Sequence, residues 1–190
     1  MKRSFPIIKV MDYRTALEYV YRNSGNPQNP KYAIISIQEP TSGYGLGLKF
    51  QKGGNCLAAL NIEFSDCTPA IQLEGYTLMS REDAKMIHDF VENIPENVDL
   101  LIIHCKEGQS RSVAVADAIL LVKTSVAKSV YESDNILPNK YVYYNILETY
   151  GMENKYWKIW YKKEKENFKS LHLPSDYKIP PEFFSKLKNS

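Results

Sequence analysis

Leu100-Leu101-Ile102-Ile103-His104-Cys105-Lys106-Glu107-Gly108-Gln109-Ser110-Arg111-Ser112 is an apolar run ending in His-Cys, a five-residue loop, and an Arg-Ser pair that opens a second apolar run. Leu100 to Ile103, with Val98 before them, predict a strand buried on both faces. Val113 to Val122 is apolar nearly all round, as a buried helix is. A strand, a short loop and a helix in that order gather successive backbone N–H groups at a helix N-terminus. Unpaired N–H groups and the positive end of the helix dipole then point the same way, which makes a ready anion site.

The side chains of the loop say which anion and what becomes of it. Cys105 stands where the N–H groups of Lys106, Glu107, Gly108, Gln109, Ser110 and Arg111 converge, and the field that holds phosphate also stabilises a thiolate. A thiolate rather than a thiol is the nucleophile. The planar fork of Arg111 can grip two oxygens of a phosphoryl group, which Lys would do less well. Gly108 permits a positive φ or a close backbone approach at the bend. The Ser112 hydroxyl can donate to the sulfur as it leaves, and His104 is expected to brace the loop by hydrogen bonds. An isolated Cys at a strand end is usually a structural core residue, but this setting points to covalent phosphoryl transfer.

The pattern resembles the active-site signature of the cysteine-based protein tyrosine phosphatases, His-Cys, five residues, Arg-Ser. Ser-Arg-Ser with no Gly after it is similar to the dual-specificity branch. Receptor-type enzymes usually carry Ala-Gly-x-Gly-Arg and a following Gly. The resemblance covers about residues 32 to 151 and extends to a Pro138-Asn139 pair ahead of a terminal helix, which the compact bacterial and phage members share. It implies a second catalytic group, an Asp on a neighbouring loop that protonates the departing oxygen. Asp66 matches that place, after a strand and before Pro69. Glu39 lies on the same edge of the sheet and is the alternative. The ordinary reading of Asp66 is a turn aspartate, and the longer Trp-Pro-Asp form of the receptor-type enzymes is absent. Cys67, beside Asp66, is a candidate disulfide partner for Cys105 under oxidation, though a free cysteine is the simpler reading.

The rest of the chain fits an α/β fold with a central, mainly parallel sheet flanked by helices. Phe5 to Met11, Tyr32 to Ile37 and Cys56 to Phe64 read as strands, and Tyr13 to Tyr21 as a helix. Ser80-Arg81-Glu82-Asp83 resembles a capping box before a helix whose Ala84, Ile87, Phe90, Val91 and Ile94 share one face. Tyr141 to Tyr150 predicts a last helix that stops at Gly151. Thr41 to Gly54 carries five of the nine glycines and reads as a mobile connection. In parallel sheets the working loops gather at the carboxyl ends of the strands, where Cys105, Glu39 and Asp66 all fall.

The domain division expected is residues 1–151 as a phosphatase-like α/β domain and 152–190 as an extension packed on it. In that extension six lysines over Lys155 to Lys169 interleave with Tyr156, Trp157, Trp160, Tyr161 and Phe168. Its ordinary reading is an amphipathic helix with aromatics on the domain, because Glu153, Glu164 and Glu166 dilute the charge. Asp117, polar within an apolar helix, is given no chemical role.

Composition narrows the alternatives. Of 190 residues, 44% are hydrophobic and 24% charged, ordinary for a globular chain. A net charge of +2 offers no basic excess to drive nucleic-acid binding. Three scattered cysteines do not make a disulfide framework. No apolar core follows Lys2 and Arg3, and no run of about twenty apolar residues occurs, so the expected place is the cytoplasm and no membrane span is expected. His88 and His172 stand apart without metal-ligand spacing, so neither metal nor cofactor is predicted. The function expected is a phosphomonoester hydrolase acting through a cysteinyl-phosphate, with a phosphorylated protein or another phosphomonoester as substrate. Lys106 beside the nucleophile is similar to the lipid phosphatases, which keeps a phosphoinositide phosphatase in view, while Glu107 opposes it. A phosphate-binding module without turnover is the remaining alternative.

Overall fold

In the computed structural model, which describes residues 5–40, 49–69, 75–125 and 138–152, eight elements follow one another. They are β1 (Ile7–Asp12), α1 (Tyr13–Asn23), β2 (Tyr32–Gln38), β3 (Cys56–Glu63), α2 (Arg81–Glu92), β4 (Leu100–Cys105), α3 (Arg111–Thr124) and α4 (Lys140–Thr149). The four strands form one sheet in the order β1-β4-β2-β3, and every pairing is parallel. The α/β class and the parallel sheet anticipated above are therefore observed. β4 is interior, with Ile102 between Lys9 of β1 and Ile34 of β2. That position explains its unbroken apolar run, since both faces are covered.

Side chains alternate along β4 and divide the core in two. Leu101, Ile103 and Cys105 join a cluster with Ile35, Ile37, Ile87, Val91, Val113, Ile119, Val142 and Ile146, where α2, α3 and α4 cover one face. Ile102 turns to the other face, among Met11, Ala16, Tyr32, Ile34, Phe50 and Cys56, where α1 lies. α3 is buried from Arg111 through Ala116 and again at Ala118 and Ile119, as a helix apolar on all sides must be.

Element ends shift by one or two residues from the sequence reading, and two of these shifts have local causes. β1 runs to Asp12, whose carboxylate accepts the Thr15 N–H and caps α1 directly, so strand passes into helix with no loop between them. α1 continues to Asn23, whose amide donates back to Tyr19 O at 2.7 Å. The capping box of α2 is present in both directions, Ser80 accepting from Asp83 N–H and Asp83 accepting from Ser80 N–H. Residues 41–48 of the glycine-rich connection, the start of the loop before Pro138, and the aromatic-lysine extension with His172 lie outside the described residues. Among the described residues no helix is long and apolar enough to cross a membrane.

Candidate active site

The sheet delivers Cys105 to the carboxyl end of β4, on the face that α3 covers, and leaves it 2% exposed. Lys106 to Ser110 then make the loop, and α3 begins at Arg111. Gly108 sits at its bend with φ +68°, and a Cβ there would lie 2.7 Å from Met11 C and Asp12 N. Only glycine fits, because the backbone of β1 forms the wall. Tyr13 N–H donates to Lys106 O at 3.2 Å and Asn139 N–H to Ser110 O at 3.4 Å, fixing the loop from both sides. Among the described residues no backbone acceptor meets the N–H groups of Lys106 through Ser110.

Ser110 occupies the N-cap of α3, where a serine usually turns its hydroxyl onto the first-turn N–H groups. Here it makes no such bond. Its Oγ donates instead to Asp66 Oδ1 at 2.8 Å. The helix N-terminus therefore keeps its unpaired N–H groups and its positive end, facing the loop that Cys105 starts. Ser112, in the first turn of α3, places its Oγ 3.1 Å from Cys105 Sγ.

Arg111 is 3% exposed and held by fixed acceptors. Its Nη1 donates to Phe64 O at 2.7 Å, and its Nη2 lies 2.6 Å from Glu39 Oε1. Nε lies 3.9 Å from Asp66 Oδ2, close enough for charge attraction but without a hydrogen bond, so this donor is buried and unsatisfied. A buried guanidinium donor beside N–H groups that no described backbone acceptor meets is an arrangement chemically suited to an oxyanion.

Asp66 is held at one oxygen only. Its Oδ1 accepts from Ser110 Oγ and from Asn139 Nδ2 at 2.9 Å. Oδ2 has neither partner. Asn139 is the N-cap of α4, its Oδ1 accepting from Val142 N–H at 3.1 Å while its Nδ2 also reaches Cys67 O at 3.2 Å. One buried asparagine thereby ties α4, the loop after β3 and the Lys106–Ser110 loop together, its side chain reaching the first two and its backbone N–H the third.

Placement of the sequence-predicted residues can now be stated. Cys105, Arg111, Ser112 and Asp66 are brought together, with Lys106, Glu107, Gly108, Gln109 and Ser110 between the first two. Glu39 is also at the site, engaged by Arg111. His104 makes one such contact and packs besides: its Nδ1 donates to Cys105 O at 3.4 Å, while its Nε2 is buried with no partner among the described residues. Strand alternation turns its ring to the α1 face, between Tyr13 at 5.6 Å and Phe50 at 5.0 Å between centroids. It braces by that bond and by packing, and burial pushes its pKa down to about 4, so the ring is neutral. Phe50 is in turn pinned by a two-way bond with Asn61, at 2.9 Å in each direction.

Cys67 and Cys105 are both free thiols. Burial first, then the charges of Asp66 and Glu39, push the Cys67 thiol up to about 11 against the opposing pull of Arg111. Sequence reading missed the hydroxyl of Ser110 and the role of Asn139. The Pro138-Asn139 pair was the one visible signal, and it carried no indication that its amide reaches Asp66.

No family model matches the chain. No curated protein matches it either. Among solved structures, it is similar to a human tyrosine phosphatase-like serine/threonine/tyrosine-interacting protein, at 15% identity over 76% of this chain and 91% of that one, with a TM-score of 0.49. It is similar to DUSP15 at 18% identity over 92% and 98% of the two chains, with a TM-score of 0.47. It is also similar to Tk-PTP in its active form, at 17% identity over 84% and 90%, with a TM-score of 0.38.

Proposed function

We propose that this protein is a phosphomonoester hydrolase of the tyrosine or dual-specificity type, working through a cysteinyl-phosphate on Cys105. The observation that carries this reading is the unsatisfied Nε of Arg111, buried beside a loop of free N–H groups that starts at Cys105.

The residues divide the reaction between them. The N–H groups of Lys106 to Arg111 and the Arg111 guanidinium bind the phosphoryl oxygens and meet the charge that develops in the transition state. Glu39 and Phe64 O hold the guanidinium at Nη2 and Nη1, which leaves Nε for substrate. Cys105 Sγ attacks phosphorus, the phosphorus–oxygen ester bond breaks, and Asp66 gives its proton to the departing oxygen. Water then attacks the phosphocysteine and passes a proton back to Asp66, while Ser112 donates to the leaving sulfur. With Oδ1 filled by Ser110 and Asn139, Oδ2 is the oxygen that carries the proton. Acid assistance of this kind is typically worth ~10²–10⁴-fold. Phosphorylated proteins are the substrate class this reading favours.

The test is hydrolysis of p-nitrophenyl phosphate by the wild type and by Cys105→Ser. Turnover inhibited by vanadate and lost in the variant supports the proposal. Turnover that survives in Cys105→Ser rules it out.

A further inference from the structure

The corner between β1 and α1 walls the phosphate loop and carries a carboxylate that no step above uses. Asp12 pairs in register with Cys105 across adjacent strands. Its backbone N is where a Cβ on Gly108 would collide, and the next residue, Tyr13, donates to Lys106 O. The Asp12 side chain accepts from Thr15 Oγ1 at 2.6 Å and from Thr15 N–H at 2.9 Å. Those bonds, the hydroxyl first, hold its carboxyl below the usual carboxylate range, so it stays charged.

The charges around the mouth are nearly cancelled. Arg111 already faces two carboxylates, Glu39 and Asp66. Lys106 is exposed but followed directly by exposed Glu107. The side chain of Arg14 is drawn along α1 to Glu18, 3.5 Å away. The loop N–H groups and the free Arg111 Nε suit one phosphoryl group. A second phosphate beside it would meet Asp12 and Glu107, with Lys106 the one adjacent loop cation among the described residues.

We propose that Asp12 is a specificity-determining residue. It favours phosphoryl groups on a protein segment with cationic side chains next to the phosphoresidue, and it disfavours polyphosphorylated head groups. This inference rests on the phosphatase reading. One carboxylate near the mouth, hydrogen-bonded to Thr15 and without an ion-pair partner among the described residues, biases oppositely charged neighbours by ~three- to tenfold at low salt.

The experiment compares two phosphotyrosyl peptides of one sequence, flanked by lysines or by glutamates, by kcat/KM at low ionic strength. The lysine-flanked peptide is expected to be preferred by ~three- to tenfold, with the preference shrinking as salt is added. In Asp12→Asn, which keeps an equally good N-cap for α1, most of the preference should vanish. Equal rates on both peptides, an undiminished preference in Asp12→Asn, or faster processing of a soluble inositol polyphosphate would each overturn the inference. Those outcomes leave the phosphatase reading standing so long as wild-type turnover is lost in Cys105→Ser. If neither peptide nor p-nitrophenyl phosphate is hydrolysed, the phosphatase reading falls and takes this inference with it.

Discussion

Ser110 Oγ donates to Asp66 Oδ1 at 2.8 Å, joining the N-cap of α3 to the loop after β3. The serine thereby gives up the cap it would ordinarily make, a bond typically worth ~1 kcal/mol, and steadies a carboxylate instead. A local rule is broken at the point where the chemistry is proposed to occur, which is where such departures are expected.

If that bond aims the acid, its loss should appear in the leaving-group dependence of the rate. Ser110→Ala and Asn139→Ala are expected to slow alkyl and phenyl phosphates by ~10–100-fold, within the range of acid assistance, and p-nitrophenyl phosphate much less. Their stabilities should diverge. Ser110→Ala removes no helix cap, whereas Asn139→Ala loses the α4 cap at a cost of ~1 kcal/mol. Equal slowing of all esters would mean that the two residues only maintain the fold.

Asp66 and Glu39 are both carboxylates on Arg111, but their bonding separates their roles. Asp66→Asn should reduce kcat and remove the fall in rate toward higher pH, because the acid that must hold a proton is gone. Glu39→Gln should mainly raise KM, since the guanidinium loses its anchoring charge while Asp66 remains. A pH profile measured for each variant decides between them. A flattened profile in Glu39→Gln with an unchanged one in Asp66→Asn would reverse the assignment.

Gly108→Ala places a methyl against Met11 and Asp12 backbone at a φ that L-residues avoid. Overpacking of this sort costs ~1–3 kcal/mol. Because the strain sits in the loop, activity should fall further than the thermal midpoint does. Kinetics and calorimetry on one preparation check both halves.

The neutral, buried His104 makes stability depend on pH in a definable window. Its folded pKa is depressed to about 4 from 6.5, so between those values the unfolded chain binds a proton that the native state excludes. Stability is therefore highest above the unfolded pKa and is lost as pH falls toward the folded one. From pH 7 to pH 5 the loss from this residue is about 2 kcal/mol. Urea titrations of wild type and His104→Gln should show the steeper pH dependence in the wild type. Parallel curves would contradict the burial argument.

How much of this was legible in the sequence depends on how local each feature is. The β4–loop–α3 unit was readable because its apolar runs, Gly108 and the Cys-to-Arg spacing lie within one short stretch. The α2 start was readable because Ser80 and Asp83 form a box three residues apart. The sharing of Arg111 between Glu39 and Asp66 was not, since both stand at strand ends and only the placed guanidinium tells them apart. Nor was the reach of Asn139, which lies 73 positions from Asp66. The packing of the His104 ring on Tyr13 and Phe50, beside its bond to Cys105 O, was not legible either, because strand alternation sets the face but not the partners waiting there.

The central claim is a covalent bond between phosphorus and the sulfur of Cys105. Rapid acid quenching during turnover of a phosphotyrosyl peptide, followed by mass spectrometry of the proteolysed protein, reads that bond directly. The account predicts one added phosphoryl group on the peptide containing Cys105, more abundant in Asp66→Asn because its breakdown is slowed. Turnover with no label on that peptide, or label on another residue, would contradict it.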